Sequence, residues 1–382
     1  MAKKWRLVRT TADLADAYSG YIPAVLRAIA EGHISETAIL FQIDRPAVFL
    51  QRYCDVLRDV NYDACIDKNV KISRGITAAG GVMYGETGTE CDLIIGWDKN
   101  KYPELPSQPD LILMKVLGVF ADVFSEKYKI PMRYRPLNDM EVWDPERKIF
   151  RKVMGTGASG LFTAVGMGWV PQSTKPSELM YEVLASPAEK FADKILKDVR
   201  ERGWNLEEAG AFPKGLDEIN RIREDWVEIF KQTFKKAFNI EFEEGELTDL
   251  ELKYVEEFKN MFQSEQHIFA RSAEKRFEEI PPDTSLGRAF LKIPAGPLIR
   301  AYVLREGDNI KDMMFTGTMQ MTPGDALEKL EQELIGMKID QHAIKAKIDE
   351  WYGTGVTIGM LEPPQLAGII MEACKLSYEE LA

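Results

Sequence analysis

Lys152-Val153-Met154-Gly155-Thr156-Gly157-Ala158-Ser159-Gly160-Leu161-Phe162-Thr163-Ala164-Val165-Gly166-Met167-Gly168-Trp169-Val170-Pro171 admits two folds. Read as a G-x-G-x-x-G turn, Gly155, Gly157 and Gly160 would open a dinucleotide-binding βαβ unit. That unit requires a following amphipathic helix and an acidic residue ~20 positions on. Instead an apolar run with two further glycines follows Gly160, the pattern of a strand, and no second βαβ unit is evident downstream. The stretch therefore reads as glycine-rich strands behind one lysine. A fixed cation beside backbone that lacks Cβ atoms lets an anionic ligand, a phosphate or acyl phosphate, approach closely. A glycine-rich turn between two strands with no ligand is the competing structural reading.

On the N-terminal side, Thr11 or Asp13 can cap a first helix, and 24–31 predicts a second that ends at Gly32. Segments 38–43 and 47–50 flank the turn Asp44-Arg45-Pro46 and predict a hairpin. A helix is expected over 55–68, a short strand over 70–73, a small-residue loop with strand character near Val82 over 76–88, and a strand over 92–97. Leu113, Val116, Leu117, Phe120, Val123 and Phe124 give 111–129 helical periodicity. Strands return over 139–170, with Asp144-Pro145-Glu146-Arg147 as a hairpin turn. Charged helical segments fill 175–276, where Ile219, Ile222, Trp226 and Phe230, then Val255, Phe258 and Phe262, form apolar stripes that read as core. A linker is expected at 279–284, then strands over 297–305 and 310–315 and helices over 323–335 and 340–351, a compact ββα module. Helices alternating with mixed, hairpin-linked strands predict an α+β fold.

The chain has 382 residues, enough for two domains, and its net charge of −12 argues against nucleic acid as the principal partner. No apolar run reaches the ~20 residues of a membrane span. Cys54, Cys65, Cys91 and Cys374 lack C-x-x-C spacing and the first residues lack an apolar signal core, so a cytoplasmic location with reduced thiols is expected. His33, His267 and His342 are too scattered for a zinc site or a histidine-based triad.

Several segments, in order, are similar to lipoate-protein ligases of the biotin/lipoate A/B protein ligase superfamily: Trp5-Arg6-Leu7, the run 45–53 and Val60-Asn61-Tyr62-Asp63-Ala64-Cys65. The family's R-R-x-S/T-G-G-G-A-V-Y-H loop resembles Arg74-Gly75-Ile76-Thr77-Ala78-Ala79-Gly80-Gly81-Val82-Met83-Tyr84. Arg74, Thr77, Gly80 and Val82 keep the pattern; Gly75 replaces the second arginine, Ala78 and Ala79 the first two glycines, and Tyr84 the histidine. Asn138-Asp139 with Lys152-Val153-Met154-Gly155-Thr156-Gly157 matches N-D followed by K-x-x-G-x-A, Gly157 standing for the alanine. Segment 199–206 resembles the family's V-R-x-R-V-T-N-L, and Gly245-Glu246-Leu247-Thr248 another family stretch. Ile299-Arg300-Ala301-Tyr302-Val303, Gly317 and 325–334 resemble the C-terminal accessory domain of bacterial-type members.

The resemblance implies an acyl-adenylating catalytic domain over 1–278, with 175–276 as a helical extension within it, and an accessory domain over 285–382. It implies an ATP-dependent ligase that activates lipoate, or a related medium-chain acyl group, as acyl-AMP. The acyl group would pass to a lysine of a lipoyl-carrier domain, a 2-oxoacid dehydrogenase E2 or a glycine cleavage H-type protein. In that scheme Lys152 is the catalytic cation and Asp139 holds Mg²⁺ or orients the nucleotide. Gly155, Thr156 and Gly157 let nucleotide or acyl chain approach, with Asn138 beside them. Arg74 sits near the phosphate or the lipoyl entrance. Thr77, Ala78, Ala79, Gly80, Gly81, Val82 and Tyr84 form the loop over the ligand. If the loop needs positive φ at Ala78 and Ala79, each would cost ~1–2 kcal/mol. An ATP-independent octanoyl or lipoyl transferase, and a non-catalytic carrier-binding protein of the same fold, are the alternatives.

Overall fold

The structure is a computed structural model and describes residues 2–86, 91–136, 138–185, 187, 203–211, 219–294 and 296–375. In chain order the strands are β1 (Lys3–Ala12), β2 (Thr37–Ile43), β3 (Ala47–Leu50), β4 (Lys71–Arg74), β5 (Ala79–Gly80), β6 (Met83–Gly85), β7 (Cys91–Asp98), β8 (Met132–Arg135), β9 (Asp139–Asp144), β10 (Ile149–Leu161), β11 (Ala164–Pro171), β12 (Ile240–Gly245), β13 (Thr284–Lys292), β14 (Leu298–Glu306), β15 (Asn309–Thr322) and β16 (Thr357–Ile358). An eight-stranded mixed sheet runs β12-β1-β2-β7-β11-β10-β9-β8, and a three-stranded sheet runs β4-β3-β6. The fold is α+β.

Alternation along each strand divides the core between the two faces of the large sheet. Ala38 and Leu40 of β2, with Val165, Met167 and Trp169 of β11, face helices Pro109–Tyr128 and Ile219–Phe238. There Phe120 stacks on Trp226 at 5.5 Å between ring centroids. Ile39, Phe41 and Ile43 face helix Ile22–Ala30 on the other side, through Leu26 and Ile29. The apolar stripes of 222–238 and 249–262 are core, as their spacing predicts, the Ile219 side chain lying outside those described.

Four local expectations differ from what is observed. β2 and β3 do not pair: β3 lies in the small sheet between β4 and β6, so 38–50 is a crossover rather than a hairpin. The helix expected over 55–68 is two short helices, Val56–Asp59 and Tyr62–Asp67, because Val60 is extended and Asn61 caps the second, accepting a bond from the Ala64 N–H. The linker at 279–284 runs directly into β13, which pairs along its whole length with β14. The closing module is therefore a sheet covered by helices Ala326–Leu334, Gln341–Gly353 and Pro363–Ala373, larger than ββα. The central region also contributes β12, the edge strand beside β1; residues 188–202 and 212–218 of that region lie outside the described residues.

The C-terminal sheet is locked onto the rest of the chain. β15 pairs with β5, Met319 opposite Gly80 and Gln320 opposite Ala79. The Gly317 N–H donates to the Tyr53 carbonyl at 2.7 Å, and the Met321 N–H to the Ala78 carbonyl at 3.0 Å. Beside this seam, Arg52 pairs with Glu328 at 2.5 Å, and Arg271 with Glu328 and Glu331 at 2.7 Å each.

Near the same seam Asp55 is buried, caps helix Val56–Asp59 and accepts a bond from the Ala273 N–H at 3.3 Å. Burial raises its carboxyl from 3.8 to about 6, and the neighbouring Asp59 adds to the rise. The folded protein thus holds this proton to higher pH than the unfolded chain, so the group's contribution to stability declines as pH climbs through that window. The unfolding free energy of the wild type relative to Asp55→Asn is expected to fall by about 2–3 kcal/mol between roughly pH 4 and pH 7. Urea unfolding at the two pH values measures it; a difference independent of pH would show that Asp55 ionises normally.

Candidate functional site

Unbroken alternation from Gly155 would turn Lys152 into the core, because residues three apart on a strand point to opposite faces. A β-bulge prevents this. The register of β10 against β9 slips between Lys152 and Met154, and Val153 and Met154 are both buried on the core side. One extra residue reverses the phase, so Lys152 shares a face with Gly155, where an added Cβ would stand 3.7 Å from its Nζ. Gly155 is opposite Asp139, whose Oδ1 lies 2.7 Å from Lys152 Nζ. Asn138 fixes the strand beside this pair. Its carbonyl accepts bonds from the Thr156 N–H and Oγ1–H, and its Nδ2 donates to the Thr156 carbonyl at 2.7 Å.

Beyond this pair the same face is almost bare. Gly155, Gly157 and Ser159 of β10 stand opposite Val170, Gly168 and Gly166 of β11. Together they floor a trough on the side of the sheet covered by helix Ile22–Ala30. Leu26 of that helix closes one end, since a Cβ on Gly166 would meet its Cδ2 at 3.3 Å. The trough belongs to a cavity of about 520 Å³. Its further walls come from Tyr18 and Ile22, the 80–84 loop, Arg151, Trp204, and Thr318 and Gln320 of β15.

The structure thus brings Thr77, Gly80, Gly81, Val82, Tyr84, Asn138, Asp139, Lys152, Gly155, Thr156 and Gly157 to one cavity. Thr77 Oγ1 bonds Gln51, and Tyr84 donates to Glu86 at 2.7 Å, so that hydroxyl is engaged beside the cavity. Of the 199–206 segment, 199–202 lie outside the described residues; the Trp204 N–H donates to the Lys152 carbonyl at 2.8 Å and anchors the remainder next to the lysine.

Arg74 requires a correction, because it does not border the cavity. It is 1% exposed, and its Nε, Nη1 and Nη2 donate to the carbonyls of Gln51, Arg52, Cys54, His267 and Ile268. Burial lowers its pKa to about 10, leaving it charged at neutral pH. It ties three segments together rather than meeting a ligand. Ala78 is likewise core, packed in the C-terminal cluster, and Ala79 is held through its backbone by β15. Neither alanine has positive φ; within the loop only Gly80 does, at 132°, so the expected strain does not arise. Gly75, where the motif has its second arginine, leaves no room for a side chain, since a Cβ there would lie 2.4 Å from the Phe49 ring.

Among the described residues, three buried polar atoms of cavity-lining side chains have no hydrogen-bond partner: Arg151 Nε, Ser159 Oγ and Gln320 Nε2. Strand alternation from Gly155 could have singled out Ser159. Nothing in the sequence ties Gln320 to a lysine so distant in the chain. Asp139 is the acidic side chain beside Lys152, and no group of three or more potential metal ligands occurs among the described residues. A protein-built metal cage is therefore not present there; a lone carboxylate suits an Mg²⁺ that keeps its other ligands on substrate phosphates.

No family model matches the chain. It is 25% identical over 228 residues to lipoate–protein ligase 1 of Staphylococcus aureus, a match covering 59% of this chain and 61% of that protein. The chain thus spans about three fifths of that relative's length. It is 21% identical over 272 residues to octanoyltransferase LipM of Brevibacillus brevis, covering 67% of this chain and 94% of that protein. Among solved structures, P. falciparum LipL1 in complex with lipoate superposes with a TM-score of 0.62 at 8% identity, covering 93% of this chain and 95% of that one. In fold over nearly its whole length, and in sequence over its larger part, this chain is similar to the lipoate-protein ligase family.

Proposed function

We propose that this protein activates a medium-chain carboxylic acid, lipoate first, with ATP as the acyl-adenylate and transfers the acyl group to a lysine of a lipoyl-carrier domain. The observation that carries this reading is the Lys152–Asp139 pair at the head of a glycine-floored trough closed by Leu26. A carboxylate attacking the α-phosphate brings two anions together, and a preorganised cation at their meeting point lowers that barrier. Lys152 holds that place; Asp139 fixes its ammonium, and the bare backbone of Gly155 and Gly157 accepts the acyl chain close to the sheet. Magnesium, arriving on the triphosphate, would neutralise phosphate charge, with Asp139 as the carboxylate at hand.

The decisive measurement is exchange of labelled pyrophosphate into ATP dependent on lipoate. Absence of exchange with lipoate, octanoate and biotin would sink the reading.

Gly155→Val tests the trough itself. The new Cβ meets only the far end of Lys152 at 3.7 Å, so folding is expected to be unaffected while the methyl groups fill the floor. A rise in KM for the acid of roughly tenfold or more is expected; an unchanged KM would place the acyl chain elsewhere.

A transferase working from an acyl thioester without ATP is the second reading, favoured by the match across 94% of the octanoyltransferase. Of the cysteines whose side chains are described, Cys54, Cys65 and Cys374 are buried and none borders the cavity, which counts against any of these three as a nucleophile. Acyl transfer from a carrier thioester in the absence of ATP would reverse the order of the two.

A further inference from the structure

The closed half of the trough carries a hydroxyl that acyl activation does not use. Ser159 shares the face of Gly155 and Gly157, pairs across to Gly166 and borders the cavity. At ~3.3 Å per residue it stands about 13 Å along the strand from Gly155, at the depth a medium-chain tail reaches. The residue is 6% exposed and its Oγ has no partner. A buried hydroxyl without a partner is unfavourable, and a hydrocarbon tail drawn over it completes its isolation. A tail with an acceptor atom at that depth gives the hydroxyl somewhere to donate.

We propose that Ser159 determines acyl specificity: its hydroxyl selects carboxylic acids bearing a hydrogen-bond-accepting heteroatom at the distal end over saturated acids of the same length. The cyclic disulfide of lipoate belongs to the first class and octanoate to the second. The inference rests on the reading of the trough as an acyl site. Because sulfur is a weak acceptor, the discrimination is modest, roughly three- to tenfold in kcat/KM.

The experiment compares lipoate and octanoate in pyrophosphate exchange, and in calorimetric binding, with the wild type and Ser159→Ala. Expected is a wild-type preference for lipoate that shrinks by about threefold or more in Ser159→Ala, with octanoate binding strengthened. A preference unchanged by the substitution, or both acids altered equally, overturns the inference. If neither acid supports exchange, the adenylation reading fails, and calorimetry alone decides the role of Ser159: loss of lipoate preference on substitution upholds it, while equal binding of both acids by the wild type, or no binding, overturns it. Ser159→Thr keeps the hydroxyl and is expected to retain the direction of preference, which a purely steric role would not.

Discussion

Lys152→Ala is expected to reduce lipoate-dependent pyrophosphate exchange by about 10²-fold or more, while unfolding free energy changes by no more than about 1 kcal/mol. The two expectations come from one geometry. The lysine side chain is 34% exposed, so its pairing with Asp139 contributes little to folding in a solvent-screened setting. As the preorganised charge where carboxylate and phosphate meet, it acts where the reaction is most sensitive to one cation. Lys152→Arg keeps the charge but spreads it over a planar fork, and recovers only part of the rate. The loss should fall mainly on kcat, since the interaction strengthens as negative charge concentrates in the transition state. Exchange within threefold of wild type would remove the lysine from the chemistry and with it the main support for adenylation.

Arg74→Met is expected to do the reverse. The carbonyls of Arg52, Cys54 and Ile268 lose their donor in the interior, while those of Gln51 and His267 keep the backbone N–H groups of Cys54 and Ala270. Stranding buried acceptors costs about 1–3 kcal/mol apiece before relaxation, and a net loss of roughly 3–5 kcal/mol follows the pattern of broken buried charge networks. The thermal midpoint should drop by about 5 °C, and protein that remains folded should bind lipoate and ATP nearly as the wild type does. Normal stability with a raised KM for ATP would return Arg74 to the ligand, as the motif alone suggests.

These two residues show where the sequence is informative and where it stops. The glycine and apolar spacing of 152–171 is a local pattern, and it correctly separates two strands from a turn and helix. The motif also finds the lysine. It cannot show that Lys152 and Gly155 share a face, because that depends on a bulge opposite β9, and alternation by itself predicts the opposite. Nor does it distinguish an arginine that meets phosphate from one that meets carbonyls, since both need the same fork of donors. The turn at Asp44-Arg45-Pro46 ends β2 whether the chain returns beside it or crosses to another sheet, so the hairpin was not decidable locally. Gln320 lies beyond any local pattern, because a strand from the other end of the chain delivers it to the cavity.

The seam between β5 and β15 has a consequence for how this loop can change over time. A loop that makes its own tight turn depends on glycine, but here the backbone of Ala78 and Ala79 is held across the seam by Met321 and Gln320 of β15. At these two positions the shape is supplied from outside, while Gly80 still needs its positive φ and Gly75 its close packing against Phe49. The donor strand carries a constraint of its own: Gly317, at φ 142°, leaves only 2.1 Å between an added Cβ and the Leu298 carbonyl oxygen. That glycine seats β15 against β14, so the strand that shapes the loop is itself fixed by the C-terminal sheet.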